Sequence, residues 1–109
     1  MKRHLLLMPL AFLIASAPAP TPPPKVYDCT ADGSKSPYKL KFGAGEYSVF
    51  DKGQWSDNSC TDAKDCKFKG AVFTAAFGPN FFTYTRSTGR YIMADIFGDV
   101  TDRGKCAPE

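Results

Sequence analysis

Residues 81–97 read FFTYTRSTGRYIMADIF. Two aromatic and β-branched runs flank Ser87-Thr88-Gly89, and the glycine suits a left-handed turn position, so the segment predicts a β-hairpin. The second arm is apolar on both faces. Ile92, Ala94 and Ile96 lie on one, and Tyr91, Met93 and Phe97 on the other. The strand period leaves either face as the one that lines a core.

Outward from this hairpin the same two-residue period recurs. Tyr38-Lys39-Leu40-Lys41-Phe42 alternates apolar and basic, Gly43-Ala44-Gly45 breaks it, and Glu46 to Phe50 resumes it. Asp51-Lys52-Gly53-Gln54 reads as a turn. Lys67-Phe68-Lys69 and Ala71 to Phe77 are separated by Gly70, and Gly78-Pro79-Asn80 turns the chain into the hairpin. Val26 to Thr30 supplies a first strand, and the last residues run on to Cys106. No stretch keeps a helical period over three turns. The predicted fold is all-β: an antiparallel meander or barrel of six to eight short strands, stapled by disulfides. Lys39, Lys41, Lys67 and Lys69 read as the solvated faces of such strands rather than as a surface for nucleic acid.

Ahead of the strands, Met1-Lys2-Arg3-His4 is followed by an apolar run from Leu5 to Ala15. A short basic head, a short apolar stretch and small residues after it predict a secretory signal, residues 1–17. The run is shorter than the roughly twenty residues of a membrane-spanning helix. Cleavage is expected after Ala15 or Ala17; Pro18 disfavours the second. Residues 18–24 form a proline-rich tether of extended type. The folded domain is expected over 25–109, exported to the periplasm or secreted.

The tether leaves a domain small enough to be marginal for an unaided core. All but Phe12 of the nine Phe, five Tyr and one Trp fall within it, a large apolar payload. Without Lys2 and Arg3, 12 of the 14 basic residues remain against 11 acidic ones, a balance of +1. That sum is no footprint for nucleic acid or anionic lipid. The only histidine is His4, so the domain has none for a Ser-His-Asp or Cys-His nucleophile or an imidazole zinc site.

Four cysteines in a small exported domain read as a disulfide framework with three possible connectivities. Cys29 lies near the domain's start and Cys106 near its end, and termini of compact domains are often close. The expected pairs are Cys29–Cys106 and Cys60–Cys66. CTDAKDC, residues 60–66, is then a stapled acidic turn. Its cysteines are too far apart for a thioredoxin-type motif. Counting from Asp57, the sixth position is Asp62 rather than glycine and the twelfth is Phe68 rather than glutamate, so an EF-hand loop does not fit. No cofactor and no metal are expected.

Distinctive exposed chemistry collects in two places. Trp55 stands beside Asp57, Asp62 and Asp65, which makes it either a plug for one barrel end or a binding anchor with an acidic rim for a basic protein partner. Arg86 and Arg90 flank the hairpin turn, either gripping a carboxylate or phosphate between them or keeping the tip soluble.

Tyr27-x-Cys29 at the start of a short β domain, the alternation from Tyr38 to Phe42, Lys69-Gly70-Ala71, and Gly104-x-Cys106 at the end together resemble bacterial periplasmic inhibitors of C-type lysozyme. The resemblance spans most of the domain. It implies an eight-stranded barrel that inserts a loop into the lysozyme cleft. The serine- and glycine-containing loop that family uses has no match in this sequence, and the Cys60–Cys66 loop occupies the middle of the chain instead. The resemblance therefore extends to the barrel and to no site residue.

The expected function is that of a non-enzymatic, monomeric binding or inhibitor-type module acting on a protein or a cell-envelope component. The alternatives are a structural surface protein held by its tether, or a small hydrolase working through carboxylates. For the last, Asp95 is the one acid isolated within a predicted strand.

Overall fold

The computed structural model describes residues 22–109; the expected signal, both cleavage points and residues 18–21 of the tether lie outside them. Nine strands follow in chain order: β1 (Lys25–Ala31), β2 (Tyr38–Gly43), β3 (Glu46–Asp51), β4 (Gln54–Trp55), β5 (Cys66–Lys69), β6 (Val72–Phe77), β7 (Asn80–Thr85), β8 (Arg90–Asp95) and β9 (Val100–Pro108). One 3₁₀ turn, Ala63–Asp65, precedes β5. The strands form a single antiparallel sheet ordered β4-β3-β2-β1-β9-β8-β7-β6-β5, curled into a half-barrel.

The expected strand number of six to eight is corrected to nine. The addition is β4, whose two residues are too few to show a period. It forms because Lys52 and Gly53 both take positive φ (52° and 80°), which folds Gln54 and Trp55 back onto Asp51 and Phe50. A two-residue hairpin turn of type I′ needs positive φ at both central residues.

Alternation sends one side chain in two to the interior. Tyr27 and Cys29 of β1, Leu40 and Phe42 of β2, Tyr47 of β3, Phe73 and Ala75 of β6, Phe82 and Tyr84 of β7 and Tyr91 of β8 form the buried core. Phe42 is its centre. Its ring stacks on Tyr27 at 4.0 Å and meets Phe73, Tyr84 and Phe82 at 4.8, 5.2 and 5.3 Å. The aromatic payload thus does in a small domain what a larger aliphatic core does elsewhere.

First and last strands meet in the middle of the sheet, with Cys29 directly opposite Cys106 and joined to it. The sheet's two ends, β3–β4 and β5, face each other across the remaining gap. Residues 56–66 cross it. Ser56 N donates to Val49 O, and Ser59 N to Tyr47 O, so this segment continues along the free edge of β3. The Asn58 carboxamide completes that edge. Its oxygen accepts from Tyr47 N and Cys60 N, and its nitrogen donates to Gly45 O. Gly45 N then donates to Cys66 O, and the Cys60–Cys66 disulfide ties the crossing to β5.

Candidate binding surfaces

Because the core takes every second residue, the others form the outer wall, and the register arranges them in rows. On β5 to β9 one row runs Lys69, Val72, Thr85, Arg90, Lys105, and a second Lys67, Thr74, Thr83, Ile92, Arg103. The third row is apolar throughout: Ala76, Phe81, Ala94, Val100. A bulge after Met93 brings Val100 opposite Ala94. Phe81 and Ile92 are each 44 % exposed, and the adjoining β8–β9 turn adds Ile96 at 59 % and Phe97 at 82 %. Counting Val100, three large apolar side chains are exposed on this wall and two more on the turn that adjoins it.

That turn is tightly organised. The Asp95 carboxylate accepts from Phe97 N and Asp99 N at 2.9 and 3.0 Å, while the Asp95 backbone bonds Gly98 N and Asp99 O. Asp95, isolated in the sequence, thereby caps a turn. Asp102 faces inward, where it accepts from the Tyr91 hydroxyl (2.9 Å), which accepts in turn from Tyr38 (2.8 Å). Burial first, and then these neighbours, push the Tyr91 phenol far above its ordinary range; burial does the same to Tyr47.

The two walls differ in charge. On β2 both lysines are neutralised in place, Lys39 by Asp28 and Glu109 and Lys41 by Glu46, while Lys25 at the start of β1 takes part in none of the ion pairs among the described residues. On β5 to β9, Lys67, Lys69, Arg103 and Lys105 take part in none of the ion pairs among the described residues. Arg90 is bound by Asp32 at 2.6 Å, and that hydrogen bond holds the Asp32 carboxyl below its usual range.

Trp55 lies on the outer wall of β3–β4, not in the barrel. It packs edge-on to Phe50 at 5.2 Å, with the Lys41 ammonium 4.9 Å above its ring. The plug reading is therefore corrected: Trp55 pairs with Phe50, and the core-facing residue beside it is Val49. Asp57, Asp62 and Asp65 are all exposed on the crossing segment. Asp62 caps the 3₁₀ turn by accepting from Lys64 N. Arg86 and Arg90 do not converge on one point. The Arg86 guanidinium donates to Gly70 O and covers the Phe68 ring at 4.7 Å, while Arg90 turns to Asp32. Among the described residues, no group of three or more His, Cys, Asp or Glu is placed to hold a metal ion.

Grooves accompany these surfaces. One, of about 490 Å³, runs between the β1–β2 loop and the turn at Thr88-Gly89, lined by Asp28, Asp32 and Lys105. Another, of about 340 Å³, lies beside Phe81 between Lys64 and Lys67.

The sequence reading missed the apolar row. Its signal was present in the second arm of the hairpin, which is apolar on both faces: Tyr91 and Met93 turn inward, leaving Ile92, Ala94 and Ile96 outside. Fold and surface define a small disulfide-stapled all-β domain with an exposed apolar face. No protein family, curated protein or solved structure matches this chain.

Proposed function

We propose that this chain is an exported, non-enzymatic binding module that engages a component of the cell envelope through the outer face of β7 to β9. The observation that carries the reading is the exposed apolar set of Phe81 and Val100 in one row, Ile92 in the row beside it, and Ile96 and Phe97 in the adjoining turn. Contiguous exposed apolar side chains on a small domain mark interaction surfaces. A rigid scaffold also holds them ready, so little order is lost on binding. Inhibition of a C-type lysozyme is the particular form of this role that the resemblance to that inhibitor family implies, and a lysozyme activity assay tests it directly.

The test of the general reading is recovery of a bound component from envelope extract by the wild type and by Ile92→Ser/Phe97→Ser. Loss of that component by a variant with unchanged near-ultraviolet circular dichroism supports the reading. Undiminished recovery rejects it. A second reading rests on Trp55 and Phe50, a partly exposed aromatic pair with Asp57 two residues on, while Asp62 and Asp65 lie at the other end of β3 near Gly45. The pair with its nearby carboxylate suits a basic protein partner. Here Trp55→Ala is expected to weaken binding by about 1 kcal/mol or more with the fold intact.

A further inference from the structure

Resting on the binding role assigned to the β7–β9 face, we propose that the component it meets is an anionic lipid surface, which the domain touches peripherally. Three features of the outer wall point there. The apolar row ends in a turn whose tip presents Ile96 and Phe97, the two most exposed large apolar residues described. The Asp95 caps hold that tip in shape, so it has little order left to lose on entering an interface. The row lies on the convex outer wall of the half-barrel, so its side chains and the tip beyond them reach an interface ahead of the rest of the domain.

The charges complete the match. Arg103 stands beside Ile92 on the same row as Lys67, with Lys69 and Lys105 in the row behind. Asp95 and Asp102 are the only carboxylates within strands β5 to β9, and the first caps the turn while the second binds Tyr91 inside. The wall is therefore cationic and apolar at once, the combination that favours anionic lipid. A whole-domain balance of +1 conceals this, because it averages the wall with the acidic crossing segment and with strand β2, whose two lysines are ion-paired. Three carboxylates oppose the assignment: exposed Asp99 beside the tip, exposed Asp65 in the groove with Lys67 and Phe81, and Asp32, which lies among Arg90, Arg103 and Lys105. The first gives the test an arm of opposite sign.

The experiment is sedimentation of the chain with vesicles of phosphatidylglycerol and phosphatidylethanolamine, compared with vesicles of phosphatidylcholine alone. Wild type and variants all begin at Ser16, so the basic and apolar leader that the exported chain has lost adds no binding of its own. Each cation near an anionic surface raises affinity about fivefold, so Lys67→Gln/Arg103→Gln is expected to lower binding about thirtyfold. Phe97→Ser should lower it about tenfold through lost apolar burial. Asp99→Asn should raise it, and high salt should weaken it. Equal binding to both vesicle types, or anionic binding that ignores Phe97→Ser and the cation pair, overturns the proposal. So does a chain that ignores vesicles altogether. In that case, continued loss of an envelope component by Ile92→Ser/Phe97→Ser leaves the binding role standing with a protein partner, and no loss removes both.

Discussion

At Gly104 the seam between first and last strands leaves no room for a side chain. A Cβ there would stand 2.2 Å from the Thr30 carbonyl oxygen, 2.8 Å from Ala31 Cα and 2.7 Å from Tyr91 Cε2. Two of these neighbours are backbone and cannot swing aside. Gly104→Ala is therefore expected to cost about 3 kcal/mol, read as a lower urea midpoint; an unchanged midpoint would show that the strands can part freely. The neighbouring tyrosines make a second prediction. The phenols of Tyr47 and Tyr91 are held well above the ordinary value of about 10. Above that pH the unfolded chain has lost protons that the folded chain retains, so stability is complete below it and falls as pH rises. Tyrosinate absorbance should rise in a step that coincides with loss of near-ultraviolet circular dichroism. Full ionisation of Tyr47 and Tyr91 with the fold intact would contradict it.

Among the elements, the gap between β3 and β5 depends on side chains as well as on ladder bonds. Asn58 makes three hydrogen bonds to backbone there. Asn58→Ala leaves those groups to find other partners and is expected to cost about 2 kcal/mol, with faster amide exchange at Tyr47. Exchange confined to other sites would show that the crossing segment does not protect β3. The disulfides act on different scales. Cys29–Cys106 closes 77 residues of separation and Cys60–Cys66 only 6. Chain-entropy arguments give about 4.5 and about 2.4 kcal/mol, so the paired Cys29→Ser/Cys106→Ser variant should melt well below Cys60→Ser/Cys66→Ser. The reverse order would mean that the staple's role in bridging the gap outweighs loop entropy. Strands β1 to β3 and β5 to β8 were legible from alternation, whereas β4 was not, since a two-residue strand exists only through the turn that folds it back.

For the whole molecule, net charge and charge layout diverge. With four unneutralised cations on one wall, the domain should bind a cation-exchange matrix at neutral pH despite a balance near +1. Replacing Lys67 and Arg103 by glutamine should advance elution more than replacing Lys39 and Lys41, whose charges Asp28, Glu109 and Glu46 already offset. Equal shifts would mean that the walls are not electrostatically distinct.

By itself the sequence determined the all-β class, because a two-residue period and turn glycines are local signals carried by neighbouring residues. Cysteine number and position likewise suggested which pairs could close the domain. The side of β8 that meets the core was undetermined, since Tyr91-Met93 and Ile92-Ala94-Ile96 are both apolar and only the curl of the sheet chooses between them. The same holds for Trp55, placed outside by a tight turn, and for the cationic wall, whose members lie on β5 and β9, far apart in the chain and in line only through the register of five strands. Tertiary structure decided these matters because facing, convergence and charge layout depend on which strands become neighbours, and no local stretch of sequence contains that information.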